Sequence, residues 1–215
     1  MVNAIYFKGA WSKKFDIKKT VDNAQFTMFN GSTTECSMMN MTDHMMYAST
    51  KNLEMVKLDY GTDGEFSAFV VLPALAGLGH MKDAVGDLFG SDISWDALVA
   101  SMHPTKMALS LPRFNVDSGV NSLKDSLKKM GASAVFEPSG LAGLTSNMTD
   151  YIDDVVHKAI IEVDEEGTVG AAVAAVAATR SISFVRPFKA DRPFIFLVFH
   201  AKTKTFLFAT RVSSV

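Results

Sequence analysis

The sequence predicts an α+β protein dominated by antiparallel β-sheet, and three observations predict it. Short β-branched and aromatic runs recur along the chain between turn residues. Two stretches, Met81 to Met102 and Val120 to Met130, switch to helical spacing. The 215 residues, 48% hydrophobic and 20% charged, also carry ample apolar material for a sizeable core.

Val2 to Phe7 reads as a strand that ends in a turn at Lys8-Gly9. From Asp16 to Met46 short segments are expected, with turns at Asn30-Gly31 and Asp43-His44. Leu53 to Tyr60 and Phe66 to Leu72 flank Gly61-Thr62-Asp63-Gly64 and form a β-hairpin. Val85, Leu88 and Phe89, then Leu98 and Met102, repeat at helical spacing, with Ser94 placed to cap the second helix. Met107 to Val116 alternates as a long strand, and Pro112 suggests an edge or a bulge. Val120 to Met130 predicts an amphipathic helix with Leu123, Leu127 and Met130 on one face, stopped by Gly131. Asp154 to Val163 is strand-like and runs into Asp164-Glu165-Glu166-Gly167. Phe194 to His200 and Thr205 to Val212 are two strands joined by residues 201–204. With no internal repeat and no Pro/Gly/Ser-rich linker, residues 1–215 read as a single domain.

Several function classes are excluded. A net charge of -2 without a basic block removes the footprint of a nucleic-acid binder. No stretch approaches the roughly 20 apolar residues of a membrane helix. Cys36 is alone, so neither an intrachain disulfide nor a cysteine-based zinc site can form. No GxGxxG, Walker or GxSxG motif occurs, and His44, His80, His103, His157 and His200 lack metal spacing. The pairs Asp153-Asp154 and Glu165-Glu166 sit beside turns and read as solvated loop charge. No catalytic residue, metal or cofactor is expected, and the chain does not read as an enzyme. Sequons at Asn30, Asn40 and Asn147 are candidate glycosylation sites and hint at secretion. The opening MVNAIYFKGAW reads as a core strand without a leader, so the N-terminus looks cut. Compartment is therefore an expectation only: extracellular, with cytoplasmic as the alternative.

Residues 167–180, GTVGAAVAAVAATR, are small and apolar all round. Alanine content favours a helix, yet no helical face exists. At period two both faces are small enough to slip between existing strands. Locally the segment is undecided between exposed loop or helix and buried strand. Arg180-Ser181 then offers a cation that a trypsin-like pocket accepts.

His157-Lys158-Ala159 through Glu162-Val163-Asp164-Glu165-Glu166-Gly167-Thr168 closely resembles the hinge of the serpins, the serine protease inhibitors of the suicide-substrate type. Phe188-Lys189-Ala190-Asp191-Arg192-Pro193-Phe194-Ile195-Phe196 resembles their C-terminal signature. Val2 through Trp11, Val70-Val71-Leu72-Pro73 and Leu111-Pro112-Arg113-Phe114 are similar to further strand motifs of the family, in the right order along residues 1–215.

The resemblance implies a partial serpin fold of large mixed and antiparallel sheets, a few helices and an exposed reactive loop over about 166–185. The family's N-terminal helices and two strands of its large sheet have no counterpart here. Glu165, Glu166, Gly167 and Thr168 fall at the hinge, and Gly170, Ala171 and Ala172 match its small-residue run. Val169 and Val173 depart modestly from the family's residues. The resemblance further implies cleavage of the loop by a target protease, an acyl-enzyme, and insertion of the freed segment as a new strand. Usual loop length puts the cut after Ser181; arginine chemistry favours Arg180-Ser181, with trypsin-like targets. Asn3 and His157 match paired positions where the large sheet opens and are assigned a gating role. No cofactor is implied. Without its supporting helices the chain is expected to expose apolar surface, to aggregate or form loop-sheet oligomers, and to fail as a stable protease trap. A truncated or non-inhibitory relative, serving as a protease substrate or a binding or structural protein, is the alternative.

Overall fold

Residues 1–90, 94–145, 147, 149–167 and 184–215 are described by the computed structural model, and they form twelve strands and three α-helices. In chain order these are β1 (Val2–Phe7), β2 (Val21–Thr27), β3 (Thr33–Ser49), β4 (Leu53–Asp59), β5 (Phe66–Pro73), α1 (Leu78–Phe89) and α2 (Trp95–Ala100). Then come β6 (His103–Pro112), β7 (Phe114–Asp117), β8 (Asn121–Ser122), α3 (Lys124–Lys129), β9 (Val156–Val163), β10 (Arg186–Lys189), β11 (Phe194–His200) and β12 (Thr205–Val212). The chain divides into two compact units, one of Met1–Lys8 and Asn115–Glu162, the other of Gly9–Phe114 and Val163–Val215.

The larger unit holds an eight-stranded sheet in the order β10-β6-β3-β4-β5-β11-β12, with β2 against β3. Strands β5 and β11 are buried on both faces, which is why they read as near-continuous apolar runs. Their odd-numbered residues, Phe69, Val71, Ile195, Leu197 and Phe199, pack with Met81, Ala84 and Leu88 of α1 and Leu98 of α2. On the other face Phe194 meets Phe26 and Phe114 edge-on, at centroid distances of 6.5 and 5.6 Å. Full burial of each such ring contributes about 1.5–3 kcal/mol.

The smaller unit builds a four-stranded sheet from β1, β9 and β7, with β8 also on β9. Here β1 and β9 run parallel, from Val2↔Val156 to Phe7↔Ile161. The other parallel pair described is β10 with β6; the remaining registers given are antiparallel.

Three expectations need correction. No turn interrupts the chain at Asp43-His44; β3 runs on for 17 residues because β6 supplies a continuous partner from Met38↔Pro112 to Tyr47↔His103. Strand β6 is not an edge, since it lies between β10 and β3, and Pro112 instead marks its end before β7. The helix expected from Val120 shrinks to Lys124–Lys129, because Asn121 and Ser122 pair with β9. Met130 is correspondingly 82% exposed, although Gly131 does stop the helix with φ 98°. The helical spacing of Val85, Leu88 and Phe89 falls on α1, which buries Met81, Ala84 and Leu88 and leaves Val85 and Phe89 largely outside.

Candidate functional site: the hinge clamp and the strand gate

Beyond β9 the burial alternation of the strand continues, with Val163, Glu165 and Gly167 inward and Asp164 and Glu166 outward. A carboxylate is thereby carried to a core-facing position, where it must be paired. Glu165 is 6% exposed, so the expectation of solvated loop charge fails for it. Arg113, in the single-residue break between β6 and β7, donates from Nε to Oε1 and Oε2 at 2.9 and 2.7 Å, and from Nη2 to Oε1 at 2.6 Å. The Thr20 hydroxyl donates to the same carboxylate. Burial alone would raise the Glu165 carboxyl, but these donors outweigh it and hold it below the ordinary carboxylate range. The same hydrogen bonding raises the Arg113 guanidinium.

The segment from Trp11 to Phe15 grips the backbone of this hinge. The Trp11 amide donates to the Glu166 carbonyl and the Phe15 amide to the Glu165 carbonyl, both at 3.1 Å. The Trp11 indole Nε1 donates to the Asp164 carbonyl at 2.8 Å, and Lys14 Nζ pairs with Glu166 Oε2 at 2.6 Å. Trp11 is in turn fixed by stacking on Tyr60, with centroids 4.3 Å apart and planes 13° from parallel. Gly167 ends the clamp at φ +73°, with an added Cβ falling 2.2 Å from the Trp11 amide nitrogen and 2.7 Å from the Gly9 carbonyl oxygen. Only glycine meets both demands.

At the positions expected to form a gate, Asn3 of β1 and His157 of β9 are direct register partners, and Asn121 of β8 faces His157 on the other side. Asn3 is exposed and His157 half-buried. The backbone ladder joins the two strands. No side-chain hydrogen bond links Asn3 and His157 among the described residues.

The remaining predicted positions fare unevenly. Thr168, Gly170, Ala171, Ala172, Arg180 and Ser181 lie outside the described residues. Asn30 is exposed in the turn before β3, and its Oδ1 accepts from the Ser32 amide at 3.0 Å and the Ser32 hydroxyl at 2.7 Å. Asn40 sits within β3 with Nδ2 donating to the Lys19 and Met38 carbonyls, while Oδ1 accepts from the Ser110 hydroxyl. Asn147 donates to Asp150 Oδ1 at 2.8 Å. Sequence reasoning did not assign Trp11, Lys14, Thr20 or Arg113 to the hinge. A strand-period carboxylate at an inward position was the available signal, because it demands a cation from elsewhere.

The family model described as Serpin (serine protease inhibitor) matches residues 1–215. A serine protease inhibitor of Cyanea capillata is 32% identical over 219 residues, covering 100% of this chain and 56% of that protein. Iripin-5 of Ixodes ricinus is 35% identical over 221 residues, covering 99% of this chain and 54% of its own length. Among solved structures, maspin superimposes with a TM-score of 0.84 at 26% identity, covering all of this chain and 57% of that one. The chain thus spans about half the length of the curated relatives it matches. With its mixed sheets, parallel β1–β9 pair and clamped hinge, the chain belongs to the serpin family.

Proposed function

We propose that the chain carries the moving parts of a suicide-substrate inhibitor of serine proteases, with Arg180-Ser181 as bait for trypsin-like targets. The hinge carries this reading. A chain leaving β9 through a positive-φ glycine is set to turn back. A strand entering between parallel β1 and β9 can then run antiparallel to both. Insertion would exchange one parallel ladder for two antiparallel ones, at about 0.5–1.5 kcal/mol per added backbone hydrogen bond. Summed over a strand, that gain rivals the stability of an ordinary domain, about 5–15 kcal/mol. Gly170, Ala171 and Ala172 are small enough to enter without displacing core atoms. Asn3 and His157 mark the ladder that must part.

In the chemical step the protease serine Oγ attacks the Arg180 carbonyl carbon. The bond to the Ser181 nitrogen breaks, and that amine leaves with the proton relayed by the protease histidine. The ester left on the protease is the trapped species. The inhibitor supplies substrate groups to this reaction and no catalytic residue.

Mass spectrometry of the peptide released by trypsin tests the bait assignment. A new N-terminus at Ser181 is expected, and a cut elsewhere sinks it. A second reading, a chain that is only a protease substrate, is favoured by the exposure of β1, where Val2 is 79% and Tyr6 54% exposed. The 215 residues alone are expected to be clipped without an SDS-resistant trypsin complex, whereas such a complex would show that they suffice as an inhibitor. For a secreted chain Asn30 is the sequon best placed for modification, since its Nδ2 makes no hydrogen bond among the described residues. A mobility shift on deglycosylation, lost in Asn30→Gln, checks that assignment.

A further inference from the structure

The edge strands of the two sheets are guarded unequally. Strand β10 carries Arg186, Pro187 and Lys189, and β12 carries Arg211. Charges and prolines of this kind discourage a further strand from adding. Strand β1, an edge of the smaller sheet, reads VNAIYF, with neither charge nor proline. Six uncharged residues rich in β-branched and aromatic side chains are a template for pairing. Val2 is 79% and Tyr6 54% exposed, and Ala4 between them is exposed as well. Among the described residues β9 is the one strand paired with β1.

The ladder with β9 fixes which backbone groups face outward. The Val156 amide donates to the Met1 carbonyl at 2.9 Å, and Val2 is the register partner of Val156. In a parallel ladder that pattern turns the amides and carbonyls of Asn3 and Ile5 toward β9, and those of Val2, Ala4 and Tyr6 the other way. The same three residues put their side chains on one face of the strand. An identical strand laid antiparallel, with a two-fold axis at Ala4, sets Ala4 opposite its own copy and Val2 opposite Tyr6. All three outward residues then fall in hydrogen-bonded pairs, which gives about six new backbone bonds. Both Val2–Tyr6 pairs join a β-branched side chain to an aromatic ring. An axis at Asn3 or Ile5 would leave Tyr6 or Val2 without a strand partner. Lys8 lies beyond the paired stretch.

We propose that two copies of the 215-residue chain pair along β1, joining their four-stranded sheets across a two-fold axis at Ala4. The contact is isologous, so the same patch on each copy supplies both halves. It uses the outer edge of β1 and leaves the seam with β9 closed. The pairing therefore stands apart from the loop-insertion reading above, and neither depends on the other.

Sedimentation velocity and disulfide trapping of the 215-residue chain test it. The mass is expected to double as concentration rises. Ala4→Pro should weaken the association by about tenfold or more, because the amide it removes points away from β9. Hydrogen exchange at the Asn3 and Ile5 amides should meanwhile stay as in the wild type. Tyr6→Lys, which places a charge on the edge, should weaken association to a similar degree. In a Cys36→Ser background, Ala4→Cys should give a covalent dimer on mild oxidation. Asn3→Cys should not, since this register holds the two copies of residue 3 more than about 7 Å apart. A chain that stays monomeric up to about 1 mM overturns the pairing. Self-association that Ala4→Pro and Tyr6→Lys leave intact also overturns it and assigns the contact to another surface. Equal trapping of Asn3→Cys and Ala4→Cys overturns the register on which the proposal stands.

Discussion

At the hinge, Glu165 accepts side-chain hydrogen bonds from Arg113 and Thr20 while Trp11 and Phe15 hold its backbone neighbourhood. At the proposed gate, Asn3 and His157 face each other across a ladder and share no side-chain hydrogen bond among the described residues. The first is a local, directional lock made from several donors around one buried charge. The second is a run of equivalent backbone bonds on an exposed strand. Locks of the first kind fail when one partner is removed, because a buried charge is left bare. Ladders fail gradually, since each bond contributes a small net share.

The largest expected effect comes from Gly167→Val. Positive φ and a Cβ only 2.2 Å from the Trp11 nitrogen should together cost about 2–4 kcal/mol, read as a lower urea midpoint. A wild-type midpoint would remove the clamp from the comparison altogether.

Next, Arg113→Met should destabilise by about 1.5–3 kcal/mol, discounted because the Arg113 side chain is 40% exposed. Adding Glu165→Gln to it should recover part of that loss. Double-mutant behaviour that is simply additive would mean that the pair acts no differently from two ladder positions.

Acid should loosen the clamp before the gate. Glu165 is held below its ordinary value, so its stabilisation is complete above the ordinary carboxylate range and fades as the pH falls through the lower folded value. Hydrogen exchange at the Phe15 amide should accelerate over that acidic window, and Glu165→Gln should flatten the response. An unchanged pH profile in that variant would assign the effect to other carboxylates.

The smallest effect belongs to His157→Ala, about 0–1 kcal/mol in global stability, with faster amide exchange along β1 as its more sensitive readout. If neither exchange nor loop insertion changes, the gating role of His157 falls and only the backbone ladder remains.

Much of the fold was legible in the residues. The strands Val2–Phe7 and Phe194–His200 coincide with their predicted bounds, and the Leu53–Asp59/Phe66–Pro73 hairpin follows its glycine-bearing loop. Period and turn chemistry are local, so a sequence carries them openly. Strand β3 departs from the expectation because Asp43 and His44 look like turn residues. Their backbone conformation is set by the ladder with β6, some sixty residues further along the chain.

By itself the sequence determined the strand and helix periods, the family and the hinge motif, because each is written in contiguous residues. It also specified that Glu165 follows Val163 on the same side of a strand. Tertiary structure alone decided that Arg113, Thr20, Lys14 and Trp11 converge on that hinge, and that β1 and β9 pair directly. The physical reason is range. Propensity and alternation act over a few residues, whereas a buried carboxylate takes its cation from wherever the folded chain brings one.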